Sequence, residues 1–266
     1  MGIQAGMENE PLTVSVAEHV ATLAIDRPHK KNAITHAMWR TLAGTVADLS
    51  ADPAVRVIVL AGKGADFSAG ADIAEFETVR ADAATARAYE AANSAAFAAI
   101  RNAPVPVIAA IRGICFGGGF GLAAACDLRI ATPDARFAVP AARLGLAYPH
   151  DAMPDIVAAL GPQMAKHLVF SAVAIDAQAA RQAGFLLEIV AADALDGRVV
   201  QLAAGIARNA PLTVRASKAA VRASQTGSAS ALGIARELGD ATFDSRDYAE
   251  GRAAFRDKRA PVFEGR

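Results

Sequence analysis

The sequence predicts an α/β fold with a helical final part. Three observations carry this. Two short, continuous apolar runs, 55–61 and 105–111, are of the kind found in parallel strands buried on both faces. Each is followed by a loop of small residues and then by a helical pattern. From residue 193 onward strand alternation disappears and helical spacing takes over. Repeated strand–helix alternation of this kind implies right-handed βαβ crossovers.

The elements follow in order. Residues 12–16 and 20–25 read as a hairpin rich in β-branched side chains, ended by the turn residues Asp26-Arg27-Pro28. A helix is predicted over 35–49, with Met38, Leu42, Val46 and Leu49 on one face. Between the two apolar strands an alanine-rich helix is predicted over 83–101. Short strands follow at 128–131 and 187–190, and a helix at 152–160, for which His150 and Asp151 are candidate N-terminal caps. Helices at 195–207, 214–223, 229–238 and 247–255 complete the chain, with Pro211 interrupting the run. No repeat or low-complexity linker separates the two parts, so they are expected to be a core over 1–192 and a helical subdomain over 193–266.

Composition narrows the function. The 266 residues are 53% hydrophobic, a share that predicts apolar surface covered by partner subunits. The 27 basic and 27 acidic residues cancel, which gives no broad attraction for nucleic acid or for an anionic membrane. Cys115 and Cys126 lack the spacing of a zinc site and read as buried apolar residues in a reducing compartment. Residues 1–10 carry neither a basic region nor a long apolar core, so no export signal is expected and the location predicted is cytoplasmic. The longest apolar region, 103–126, is broken by Pro104, Pro106, Arg112 and several glycines, which argues against a membrane span. With no metal cluster and no dinucleotide fingerprint, no cofactor is implied.

Two loops carry the chemistry. Phe67-Ser68-Ala69-Gly70-Ala71-Asp72-Ile73 follows the first apolar strand, and Gly113-Ile114-Cys115-Phe116-Gly117-Gly118-Gly119-Phe120-Gly121 follows the second. Small residues between strand and helix leave N–H groups bare at the positive end of a helix dipole, where they can hold negative charge developing on oxygen.

These loops, with Lys31-Asn32-Ala33, Cys126-Asp127-Leu128-Arg129-Ile130-Ala131, Phe137-Ala138-Val139-Pro140, Leu144-Gly145-Leu146 and Phe255-Arg256-Asp257-Lys258-Arg259, resemble the crotonase superfamily of enoyl-CoA hydratases and isomerases along nearly the whole chain. The resemblance implies a crotonase-like ββα spiral core, a helical C-terminal oligomerisation part, and homotrimers or dimers of trimers. It implies an acyl-CoA thioester as substrate, with CoA part of the substrate and no separate cofactor. It assigns the oxyanion donors to the N–H groups of Ala71 and Gly118, and places Ala69, Asp72 and Ile73 along the acyl-CoA channel. Lys30 and Lys31 are expected at the nucleotide end of CoA. Phe255 and Lys258 are expected to reach CoA in a neighbouring subunit.

The chain departs from that pattern where the hydratases carry their two catalytic glutamates. Gly121 and Ala141 stand there, and neither moves a proton. Tyr148 matches the tyrosine of methylmalonyl-CoA-type decarboxylases and is the remaining catalytic candidate. Hydration, isomerisation and decarboxylation therefore stay open, as does a noncatalytic acyl-CoA-binding scaffold. A serine peptidase of the related spiral fold would need Ser68 as nucleophile and has no matching histidine and acid. Trp39 reads as a packing residue, and Asp127 as a structural end to the glycine-initiated helix.

Overall fold

The structure is a computed structural model and describes residues 11–266; residues 1–10, which carry the reading of no export signal, lie outside the described part. Strands β1 (Leu12–Ala17) and β2 (Val20–Ile25) pair antiparallel from Leu12 opposite Ile25 to Ala17 opposite Val20. Their two-residue turn places Glu18 and His19 at φ 48° and 66°, the paired positive values that match the twist of a tight hairpin. Thr35 opens α1 (His36–Ala51), its hydroxyl accepting from the Met38 N–H at 3.2 Å. Then come β3 (Val57–Gly62), the short α2 (Phe76–Val79) and α3 (Ala83–Asn102), which starts with a capping box between Asp82 and Thr85.

Strand β4 (Val107–Ile111) is followed at once by β5 (Ile114–Phe116), then α4 (Gly118–Ala125). Strand β6 (Leu128–Ala131) leads in the same way to β7 (Arg136–Ala138) and α5 (Met153–Ser171). The chain continues through β8 (Ile175–Asp176), α6 (Ala177–Gln182), β9 (Glu188–Ile189), α7 (Leu195–Ala207), α8 (Pro211–Thr226), α9 (Ala229–Ala241) and α10 (Arg246–Asp257).

A six-stranded sheet has the order β1-β2-β3-β4-β6-β9, parallel from β2 onward, and a small second sheet has the order β5-β7-β8. Single bridges from Ser68 to Cys115 and from Ile34 to Ala71 extend the small layer. After each inner strand the chain thus crosses into this second layer before entering a helix, which is the ββα spiral expected. The spiral sets residues 68–71 beside residues 114–118.

Both faces of the large sheet are covered, which explains the continuous apolar runs. Ile58 and Leu60 of β3 point into the core formed with α1, α3, α4 and α5. Val57 and Val59 join Ile108, Ala110 and Ile130 on the opposite face, under Leu195, Val199, Ala203 and Ala207 of α7. Those four recur every fourth residue, so α7 lays one stripe on the sheet. Farther along, Lys218 of α8 donates to the Val105 carbonyl at 2.9 Å and to Asp127 at 2.7 Å, and Arg222 donates to the Arg101 carbonyl at 2.7 Å. Asp127 is structural, as expected, although its work is to tie β4 to α8: it also accepts from the Val107 N–H at 2.7 Å.

Two expectations are corrected. The helix expected at 152–160 is broken at Gly161, where φ is 72° and ψ 159°, but resumes at Pro162 and runs to Ser171. Asp151 does not cap it: Ala152 holds the N-cap position without a side-chain bond, and Asp151 pairs instead with exposed His150 at 2.9 Å. Among the described residues no helix is long and apolar enough to cross a membrane.

Candidate active site

Asn32 organises one side of the site. It is buried at φ 55°, and its side-chain amide donates to the carbonyls of Lys63 (2.9 Å) and Asp66 (2.6 Å) while its oxygen accepts from the Arg27 N–H at 2.9 Å. The Ser68 hydroxyl donates to the Asn32 carbonyl at 2.8 Å and accepts from the Gly70 N–H at 3.1 Å, and the Ala69 N–H donates to the Lys31 carbonyl at 2.9 Å. Ser68, fully buried and engaged twice, is a loop brace and not a free nucleophile. Lys30 and Lys31 stand exposed on the segment so braced.

The two glycine-containing loops then meet. Gly70, at φ 89°, lies so near the second loop that a Cβ on it would stand 2.7 Å from the Phe116 carbonyl oxygen and 2.8 Å from the Gly118 nitrogen. A Cβ on Gly118 would stand 3.8 Å from the Ala71 nitrogen. Half-buried Ala71 and Gly118 thus present adjacent backbone nitrogens, and among the described residues neither N–H has a protein acceptor. For Gly118 this is the ordinary condition of a first-turn helix N–H; for Ala71 it follows from the single bridge to Ile34, which uses the flanking Gly70 carbonyl and Asp72 N–H instead.

Trp39, fully buried on α1, forms the floor. Its Cζ2 and Cη2 atoms would stand 2.7 and 2.9 Å from a Cβ on Gly118, its indole N–H donates to the Tyr89 hydroxyl at 3.1 Å, and Phe97 meets it edge-on at 5.7 Å. It packs, as the sequence predicts, and it packs directly beneath the loop. Burial pushes the Tyr89 phenol up to about 12.

Gly121, where a glutamate is missing, has its space filled. A Cβ there would meet Phe97 Cζ at 2.6 Å and would press on the Tyr148 hydroxyl. That hydroxyl donates to the Gly117 carbonyl at 2.8 Å, so Tyr148 reaches the first turn of α4 from a segment thirty-one residues on. Burial is the main cause holding its phenol protonated, well above its ordinary range, which makes it a neutral donor. Ala141, the other vacated position, is buried in the turn Pro140–Leu144.

The remaining predicted residues lie apart from the pair of N–H groups. Asp72 is buried, bonds Arg27 at 3.0 Å and caps the Ala74 N–H at 3.2 Å, which keeps the Ala71 backbone in place, whereas Ile73 is 59% exposed at the rim. Phe255 is 89% exposed on α10 and Lys258 ends that helix at φ 54°. Among the described residues no hydrogen bond or ion pair joins α10 to either loop, and Phe255 faces a separate cavity of about 1740 Å³ between α5, α8 and α10.

Two adjacent bare N–H groups, one of them at the start of α4, with an indole beneath and a protonated phenol beside them, stand in a spiral α/β fold. The particular family is identified by comparison: residues 15–266 match the enoyl-CoA hydratase/isomerase family, and the chain belongs to it. It is similar to a 2,3-dehydroadipyl-CoA hydratase of Escherichia coli, at 32% identity over 96% of this chain and 99% of the relative. A crotonyl-CoA hydratase of Syntrophomonas wolfei is 34% identical, over 97% and 99%. Among solved structures, an enoyl-CoA hydratase/carnithine racemase from Magnetospirillum magneticum superposes with a TM-score of 0.90 at 35% identity, covering 97% of this chain and 96% of that one.

Proposed function

We propose that this enzyme processes an acyl-CoA thioester by holding the thioester oxygen, as an enolate forms, between the N–H groups of Ala71 and Gly118. The observation that carries the reading is the adjacency of those two nitrogens with no acceptor of their own. Donors fixed before the reaction stabilise charge on oxygen more in the transition state than in the ground state. Lys30 and Lys31 take the CoA end, with Ala69, Asp72 and Ile73 along the channel, and CoA enters as part of the substrate with no further cofactor. Phe255 and Lys258, remote within one chain, serve a neighbouring copy's site in a homotrimer or dimer of trimers, assembled through the helices from residue 193 onward, in the cytoplasm.

Gly121 and Ala141 leave no carboxylate at the hydratase positions, and the space at Gly121 is taken by Phe97 and Tyr148. This favours a second reading within the same class, decarboxylation of a methylmalonyl-type thioester. There the oxyanion donors hold the enolate left by departing CO₂, and Tyr148 lines the site as a protonated phenol.

The test is mass-spectrometric turnover of crotonyl-CoA, a 3-enoyl-CoA, methylmalonyl-CoA and malonyl-CoA by the wild type, by Gly118→Pro and by Gly118→Ala. Proline removes the N–H and is expected to lower kcat/KM by roughly a hundredfold or more. Alanine keeps the N–H but crowds Trp39, so it separates the donor from the packing. Full turnover by Gly118→Pro would sink the oxyanion assignment. Gain of water, double-bond migration or loss of CO₂ identifies the reaction; binding of every thioester with no product points to a scaffold.

A further inference from the structure

On the α4 side of the Ala71 and Gly118 nitrogens, aromatic rings close the structure. Gly118 and Gly121 stand three residues apart on α4, so they share one face of its first turn. The Trp39 ring lies under Gly118; at Gly121 lie the Tyr148 hydroxyl and Phe97 Cζ, the latter 2.6 Å from where a Cβ would stand. Trp39 and Phe97 are both buried and meet edge-on at 5.7 Å, so the two stretches of wall are continuous. Tyr148 completes the wall, because its hydroxyl bonds the Gly117 carbonyl at 2.8 Å and anchors the ring across the start of α4. A single added methyl at Gly121 would have to displace Phe97.

Behind this wall there is room. Tyr148 also lines a cleft of about 750 Å³ with Arg87, Ser94, Ala98 and Pro149. Ser94 and Ala98, with His150 and Asp151, are shared with the cavity of about 1740 Å³ between α5, α8 and α10. The Tyr148 ring thus stands between the first turn of α4 and space large enough for a long hydrocarbon chain. In the acyl-CoA reading above, on which this inference rests, the CoA arm runs toward Lys30 and Lys31 and the acyl arm leaves the N–H pair the other way, along α4. Gly118 and Gly121 are about 4.5 Å apart along the helix axis, the length of a short acyl group.

We infer that Phe97 and Tyr148 are specificity-determining residues that stop the acyl arm at Gly121 and restrict the thioester to acyl groups of about four carbons or fewer. A short arm fits between the N–H pair and the two rings. A longer one has to push a buried phenylalanine off its packing or pull the thioester oxygen away from its donors, and either weakens binding. The same two rings therefore exclude both a carboxylate at position 121 and a long chain.

Calorimetry on the full chain tests it, with propanoyl-CoA, butanoyl-CoA, hexanoyl-CoA and octanoyl-CoA, and with CoA alone as the reference. In an open channel each added methylene tightens binding by roughly fourfold. Wild type is expected to show that gain only as far as butanoyl-CoA and to bind octanoyl-CoA at least about fivefold more weakly than butanoyl-CoA. In Phe97→Ala that ratio falls below about twofold. Tyr148→Ala, which leaves the core intact and opens the place of the ring to the cleft, lowers the ratio as well and stands in should the Phe97 variant not fold. Loss of structure alone would weaken every thioester together and leave the ratio as it was. A wild-type ratio below about fivefold, or a ratio unchanged in the folded variants, overturns the stop and leaves the thioester reading intact. Binding of no thioester by the folded wild type overturns both.

Discussion

At the scale of single residues, the geometry of the two loops depends on the side chains packed behind them. Asn32 makes three side-chain hydrogen bonds from a fully buried position and holds both the lysine segment and the Ser68 loop. Asn32→Ala strips partners from two carbonyls and one N–H, so a loss of about 3 kcal/mol in urea-melt stability is expected, with a raised KM for any thioester as the lysine segment loosens. Tyr148→Phe removes one hydrogen bond to the Gly117 carbonyl. Its expected signature is loss of turnover with thioester binding unchanged; unchanged turnover would make the phenol merely a prop for α4. The two loops that hold Ala71 and Gly118 stood out in the sequence by their small residues between strand and helix, and the family resemblance picked the two positions within them. The packing of Phe97 and Tyr148 against Gly121 was not legible, because the neighbours of a side chain along the sequence do not say what it faces in space.

At the scale of elements, the long strands and helices were legible, as were the short β6 and β9, and three other short strands were not. Strands β5, β7 and β8 have two or three residues each, too few to show a period, and they form only because neighbouring segments supply the pairing. The junction of α8 with the core is equally a matter of distant partners. Lys218 is mostly buried between the Val105 carbonyl and Asp127, and Lys218→Met is expected to cost about 2 kcal/mol, read as a lower urea midpoint at unchanged slope. Beyond α10, Arg259 grips Glu250 with two bonds of 2.6 and 2.8 Å, and with the Val262 N–H holds that carboxyl down at about 2 against an ordinary 4.5. A carboxyl depressed in the folded state stabilises above pH 4.5 and loses that contribution as pH falls from 4.5 toward 2. The difference in melting temperature between wild type and Glu250→Gln should therefore shrink across that window and be constant above it.

At the scale of the whole molecule, surface matters most. Val221, Leu232, Ile234, Leu238 and Phe243 are large apolar side chains left exposed on and after α8 and α9. The 53% hydrophobic share is thus visible as surface as well as core. If subunits cover these helices and share CoA contacts, sedimentation should give a trimer or hexamer. Phe255→Ala should then raise the KM of the assembled enzyme with little effect on kcat; a monomer retaining full activity would overturn that arrangement. The large sheet positions both layers: α7 seals one face, and the helices on the other carry Trp39 and Phe97 to the glycine loop.

By itself the sequence determined the α/β class, the long elements, the family and the two loops, since apolar periodicity, small-residue turns and ordered motifs are local properties of the chain. The fold decided what those loops face. Tyr148 lies at Gly121, and Trp39 lies under Gly118. These contacts join residues tens of positions apart, and the spacing of residues along a chain carries no record of which side chains packing brings together.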